Sequence, residues 1–483
     1  MPPAHARDLM RLRKNWLVLG LLGWPAGCAL LFHAVPGMRQ PNDFGNAFYL
    51  AAKAAWSGHL LYQGGGLLSG FVYPPPAVLL FAPFGLMPFR EAQWAWYGFE
   101  FACAIGLAGI LGASLARQGS RLAAGGIFML AVASFAPVQQ ALWWGQPDLV
   151  TTMLTATVLA VVRDRSQLTA QRTRWVAAGV LSALAAAIKI YPIAVLLWGL
   201  IRRSWTFVVT GLITLALSLV VATGVFGVSG LGEFWRRITG AAGPNAMAVP
   251  YNFGLLGLAY RALTTNPYST PLAHLNPATV KLIYLLVVLA AVGAGIGLLL
   301  PSRTWSMQHM ALAGVAVLCL SPYLENQHLT LLLALLPSVA IWQAQQLRQQ
   351  DCSELTVFWL GAMQVGVPTA LSLLSFWASP TVQTRSTAGL IIGAAMAGAW
   401  LLHRRLLPLP HLMALLAAST GFLVLAAPRL LNLTTWWGVP IDPLHVLVGE
   451  ARLYALLLLG LSLTVMVWLE RPGSHLTAER RAP

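Results

Sequence analysis

The stretch Ala185-Ala186-Ala187-Ile188-Lys189-Ile190-Tyr191-Pro192 lies inside an apolar run and interrupts it with a lysine and a proline. Its reading decides the path of the chain. Basic residues flank the run on both sides, in Arg163–Arg174 and at Arg202-Arg203, and basic clusters mark the cytoplasmic loops of membrane proteins. Keeping both clusters on one side requires two crossings between residues 175 and 201. Each is about 12–15 residues long, against roughly 20 for a full span. Short helices that meet at membrane depth are tolerated where they line a protein cavity. A single helix would put Arg202 and Arg203 on the opposite side, so a broken pair is expected.

The rest of the chain has the same character. Of 483 residues, 58% are hydrophobic and 9% charged, which is outside the range of a soluble domain. Apolar runs of about 20 residues recur throughout, so the fold class expected is an all-α polytopic membrane protein. The net charge of +16 would also suit a nucleic-acid binder. The basic residues, however, stand at the ends of apolar runs, as topology signals do, and form no phosphate-binding face. Cys28, Cys103 and Cys319 fall in apolar runs and Cys352 in a short polar loop, with no disulfide or metal spacing. Arg7, Arg11, Arg13 and Lys14 precede the first apolar run. No clear cleavage site follows, and the run reads as an uncleaved first helix.

With the N-terminus inside, span 16–35 exits and residues 36–90 form a large outer loop. Span 92–116 returns, 122–142 exits, Gly145-Gln146-Pro147-Asp148 turns outside, and 149–162 returns. After the broken pair, 205–224 exits into a second outer loop, 225–276. Further spans are expected near 278–300, 309–322, 328–346, 355–377, 387–402, 411–427 and 451–469. The total is about 14 crossings, with both termini cytoplasmic. No internal or inverted repeat is visible, which weighs against a secondary transporter.

Only 14 residues are Asp or Glu, and a general base at the outer face must come from the few that lie there. These are Asp43, Glu91, Asp148, Glu233, Glu325, Asp442 and Glu450. Glu100 lies within a span, paired or near an interface. Asp43 leads, because it follows the first span and opens the segment 44–61, with Phe44, Phe48, Tyr49, Leu50 and Trp56. Such an amphipathic segment is expected to lie along the membrane surface. Its other reading is an N-cap of that helix, and both stand at this point.

Lys189 is the second candidate. An unpaired lysine in lipid costs a few kcal/mol, so it either holds a phosphate or snorkels to the surface. Arg236 and Arg237, beside Phe234 and Trp235 in an outer loop, suit lipid phosphate or ordinary headgroup contact. Ser321-Pro322-Tyr323-Leu324-Glu325-Asn326-Gln327-His328 ends a span with several polar groups, which would suit a sugar or a plain polar turn. Gln146, Asp148, Tyr251 and Asn252 form a weaker tier of substrate-binding candidates. The tryptophans, Trp143-Trp144 and Trp436-Trp437 among them, read as interfacial anchors. There is no P-loop, and no Rossmann fingerprint follows a strand.

Seven elements in order carry a family resemblance. They are Asp43-Phe44, Gly58-His59-Leu60-Leu61-Tyr62, Tyr73-Pro74-Pro75, Gly145-Gln146, Lys189 three residues before Pro192, Tyr251-Asn252 with Arg261, and Ser321-Pro322. Together, over about residues 40–345, they resemble glycosyltransferase family 87, a branch of the polyprenyl-phosphate-sugar-dependent GT-C enzymes. The resemblance implies a GT-C fold of about 12–14 transmembrane helices with outer-face amphipathic helices in the first large loop. It implies a catalytic module over 1–345, followed by C-terminal helices over 346–483. The donor would be a polyprenyl-phosphate hexose, mannose foremost, and the acceptor an outer-leaflet glycolipid or glycan. No cofactor, metal or nucleic acid is expected, and a monomer in the bacterial inner membrane is.

Asp43 matches the family's catalytic aspartate, and Lys189 matches the lysine near the donor phosphate. Tyr73 is expected to bind substrate, and Arg236 and Arg237 to make further phosphate contacts. His328 corresponds less directly. Many members place a His soon after Ser-Pro and an aromatic, whereas here Leu324-Glu325-Asn326-Gln327 intervene. The rival from another class is a polytopic lipid or sugar transporter. Within enzymes, it is an oligosaccharide ligase with a diphosphate donor.

Overall fold

The computed structural model of the protein describes residues 42–57, 71–115, 135–163, 171–201, 203–240, 244–299, 307–335 and 451–469, with isolated positions outside these runs. Helices dominate, and no strand is found among the described residues. Among the described residues, three helices are long and apolar enough to cross a membrane, over Phe89–Ala113, Trp205–Arg236 and Pro277–Gly297. The protein is an all-α membrane protein. Spans 16–35, 355–377, 387–402 and 411–427 lie outside the described residues for all or most of their length, as do the first part of 122–142 and the Gly58–Tyr62 motif.

A short helix α1 (Tyr49–Ser57) is followed by the long α2 (Phe89–Leu115), then α3 (Ala136–Trp144) and α4 (Asp148–Arg163). Next come α5 (Gln171–Ile188) and α6 (Ile193–Ile201), separated where Lys189-Ile190-Tyr191-Pro192 predicted a break. Pro192 has no N–H to continue the first helix but suits the start of the second. The N–H groups of Ile193 and Val195 pick up the carbonyls of Ile190 and Pro192, both at 3.0 Å, to restart it.

Helix α7 (Trp205–Gly240) packs along α5, which itself packs on α4, and α4 packs on α2. A Cβ on Gly179 would lie 2.5 Å from the Phe207 carbonyl oxygen. Only a glycine permits that close approach of α5 and α7, the usual device for packing helices in lipid. Helix α8 (Leu255–Leu263) lies on α9 (Pro277–Leu299), and α10 (Met307–Leu320) packs against α11 (Ala451–Leu469). The core joins Phe44, Phe48, Phe81, Trp96 and Tyr97 to Leu318, Leu456 and Met466.

Helical structure continues past 225 to Gly240 across a kink at Gly227 (φ 70°, ψ 171°). Two expectations are corrected. The aromatic residues opening the segment 44–61 do not face lipid. Phe48 stacks on Phe81 at 4.4 Å and Phe44 on Trp96 at 5.6 Å, both inside the protein. Leu50 and Trp56 are the exposed members. Glu100 is fully buried in α2, and neither carboxyl oxygen has a hydrogen-bond partner among the described residues.

Candidate active site

The site is assembled on the N-terminal part of α2. Trp96 donates its indole N–H to the Gly145 carbonyl at 3.0 Å, and Tyr97 donates its hydroxyl to the Leu142 carbonyl at 2.8 Å. Asn42 donates to Tyr97 Oη at 3.1 Å. One helical turn therefore pins both the segment that begins at Asn42 and the turn after α3. Gly145 makes that turn possible with φ 67°, and a Cβ there would sit 2.8 Å from Phe44 Cβ. The tight fit brings Gln146 against Asp43.

Asp43 occupies the N-cap position, yet its side chain makes no capping hydrogen bond. The neighbouring Asn42 does that work, its Oδ1 accepting the Gly45 N–H at 3.0 Å. The carboxylate of Asp43 instead accepts a hydrogen bond from the Gln146 amide, and Tyr73 donates its hydroxyl to the carbonyl oxygen of the same amide. Asp43, Gln146 and Tyr73 thus form one chain of hydrogen bonds. Burial pushes the Asp43 carboxyl above the ordinary aspartate range. The Gln146 hydrogen bond and the Lys189 charge pull it back, and Asp148 opposes them.

Lys189 and Asp148 lie beside this chain. The ammonium stands 2.7 Å from Asp148 Oδ2 and 5.2 Å from the centre of the Tyr73 ring. Asp148 also accepts the Tyr191 hydroxyl at 3.1 Å, and Tyr191 Oη lies 3.3 Å from Thr151 Oγ1. The ring of Tyr191 packs 5.8 Å from that of His328, which carries the network to the segment after α10.

There Glu325 accepts the Tyr323 hydroxyl at 2.8 Å and a hydrogen bond from the Gln327 amide. Its backbone N–H reaches His328 Nδ1 at 3.2 Å, closing a capping box at the start of the short helix Asn326–Thr330. Burial pushes Glu325 up to about 7; the Tyr323 hydrogen bond and Lys189 lower it, and the Asp43 charge raises it. Tyr251 reaches this corner through its ring, 6.4 Å from that of Tyr323.

Asn252 is part of the scaffold. Its amide donates to the carbonyls of Met247 (3.0 Å) and Pro322 (3.2 Å), and its oxygen accepts the N–H groups of Gly254 and Leu324, both at 2.9 Å. All four of its hydrogen-bonding sites are used within the protein. Arg261 braces the same loop, donating to the carbonyls of Val249 at 2.7 Å and Asn252 at 2.9 Å. Arg236 is exposed on α7, its guanidinium 3.9 Å from Glu233. The side chain of Arg237 lies outside the described residues.

Sequence reasoning missed Asn42, Trp96, Tyr97 and Tyr191 as builders of the site. Tyr191 sits within the Lys189–Pro192 break, so its place beside the lysine was a usable signal. Trp96 and Tyr97 read only as apolar residues of a span.

Residues 71–322, just over half of the chain, match the family described as Glycosyltransferase family 87. The chain belongs to that family. It is therefore a membrane glycosyltransferase, acting on a sugar donor and an acceptor. Nothing among the curated proteins or the solved structures matches the chain. The family match covers Tyr73, Gln146, Asp148 and Lys189 and begins after Asp43, whose place in the site rests on the hydrogen bonds just described.

Proposed function

We propose that this family 87 glycosyltransferase moves a hexose, mannose foremost, from a polyprenyl-phosphate donor to a glycolipid or glycan acceptor at the outer leaflet. The observation that carries this reading is the Asp43 carboxylate, released from helix capping and held by Gln146 next to a buried cation. Asp43 takes the proton of the acceptor hydroxyl as that oxygen attacks the anomeric carbon. The bond from the anomeric carbon to the donor phosphate breaks, and the electron pair leaves with the polyprenyl phosphate. Lys189 supplies positive charge for that leaving group. An ammonium has three N–H donors, and Asp148 takes one of them. Arg236 and Arg237 would meet the donor at the membrane surface, and Glu325 and His328 the acceptor.

The displacement inverts the anomeric centre. Retention needs a second carboxylate about 5 Å away, free to act as nucleophile. Asp148 is fully buried against Lys189 and Tyr191, and Glu325 receives a hydrogen bond on each oxygen, which favours a single step. On this reading the site faces the periplasm of a bacterial inner membrane and both termini are cytoplasmic. The family match supports a transferase over the transporter alternative.

A donor panel tests the substrate class. Purified protein in liposomes is given polyprenyl-phosphate mannose, polyprenyl-phosphate glucose, a polyprenyl-diphosphate sugar and a nucleotide mannose. Product from a monophosphate donor alone, with inverted anomeric configuration by NMR, is expected. Turnover of the diphosphate or the nucleotide sugar, or a retained configuration, contradicts the proposal.

A further inference from the structure

Of two side chains beside Asp43, Gln146 is hydrogen-bonded to the carboxylate and Tyr73 to Gln146. An ionised carboxylate accepts hydrogen bonds and cannot donate them, whereas a carboxamide has two distinct ends. The N–H end of Gln146 must therefore face Asp43, which leaves its oxygen pointing the other way. Tyr73 donates its hydroxyl to that oxygen and so favours this orientation over the flipped one. Gln146 itself is buried at 5% exposure, immediately after the left-handed Gly145 whose carbonyl is held by Trp96. The Tyr73 ring is in turn packed by Phe48 at 5.1 Å and Phe71 at 5.7 Å. Every link leading to the carboxylate is held by packing or a hydrogen bond.

We propose that Gln146 and the Tyr73 hydroxyl are positioning groups that act on the reaction through Asp43. Gln146 holds the carboxylate, and Tyr73 determines which end of the Gln146 amide does so. This rests on Asp43 being the base and goes beyond it, because both residues are otherwise natural sugar contacts. Among the influences that lower the proton affinity of Asp43, the Gln146 hydrogen bond is the largest. A hydrogen bond to the charged form favours that form. Its loss makes Asp43 more basic and leaves more of it protonated, and therefore idle, at mildly acidic pH. The acidic limb of the pH–rate profile must move up.

The test is the pH dependence of kcat/KM for the full-length protein in liposomes, with polyprenyl-phosphate mannose as donor and membrane lipids as acceptor. Wild type, Gln146→Ala, Tyr73→Phe, the double variant and Asp43→Asn are compared, each checked for monodisperse behaviour. Gln146→Ala is expected to raise the acidic limb by about one pH unit, and Tyr73→Phe by less in the same direction. The double variant is expected to match Gln146→Ala, because the Tyr73 hydroxyl bears on Asp43 through the amide that Gln146→Ala already removes, while Tyr73→Phe keeps the ring beside Lys189. An unmoved limb with a raised KM for donor or acceptor would overturn the inference and make these residues substrate contacts. Losses that multiply in the double variant would overturn it as well. Tyr73→Phe, which removes one oxygen atom, keeps the test decisive if Gln146→Ala fails to fold. Wild-type activity in Asp43→Asn would instead remove the base itself, an outcome distinct from an inactive Asp43→Asn accompanied by unmoved limbs.

Discussion

Lys189 and Asp148 form a 2.7 Å ion pair that joins the end of α5 to the start of α4, with side chains 4% and 0% exposed. Breaking one partner leaves an uncompensated buried charge, which costs about 3–5 kcal/mol, whereas removing both costs much less. Lys189→Met and Asp148→Asn are each expected to lower the thermal midpoint in detergent strongly, and the double variant by less than either single change. Additive losses would show that the two residues stabilise the fold independently and not as a pair.

Gly145 carries φ 67° with Phe44 Cβ 2.8 Å from where a side chain would begin. A left-handed backbone costs a non-glycine residue about 1–2 kcal/mol, and the contact adds to that. Gly145→Ala should shift the Gln146 turn away from Asp43 and reduce transfer at least about tenfold, with a modest loss of stability. Wild-type turnover in this variant would show that the turn tolerates the displacement.

Glu325 is raised by burial to about 7, from an ordinary 4.5. A group raised on folding favours the folded state below its unfolded value and loses that contribution as pH climbs through the folded one. The native protein should therefore lose stability between about pH 4.5 and pH 7, in part because Glu325 must ionise while buried. Glu325→Gln, which cannot ionise, is expected to flatten that slope in thermal unfolding measured across pH. An unchanged slope would assign it to other groups.

Arg261 is 3% exposed, and burial pushes its guanidinium down to about 10. It braces the loop through the carbonyls of Val249 and Asn252, a two-point geometry that an ammonium cannot reproduce. Arg261→Lys is expected to cost about 2 kcal/mol and to open the loop near Tyr251 to limited proteolysis. Proteolysis at the wild-type rate would contradict the bracing role.

The sequence made the helices legible wherever local chemistry determines them. The Lys189–Pro192 break and the helices near 92–116, 149–162, 278–300 and 451–469 follow from apolar length, proline and basic flanks, all of which are local. Asp43 stood out because acidic residues are scarce. What stayed hidden is long-range. Nothing near Asn42 in the chain shows that Asn42 would cap the helix and leave Asp43 free for Gln146. Nor does the chain near Lys189 show that its counter-charge is Asp148. The aromatic residues at the start of the segment 44–61 were misread because a lipid surface and the interior of a helix bundle reward the same apolar face.

The most direct test of the account is transfer of radiolabelled hexose from polyprenyl-phosphate mannose to membrane lipids, with wild type and Asp43→Asn reconstituted side by side. Asparagine keeps the shape of Asp43 but cannot take up the proton of the acceptor. Labelled product from wild type, with a loss of about 100-fold or more in a well-folded Asp43→Asn, is the predicted result. Equal product from both proteins would contradict the assignment of Asp43 as the base.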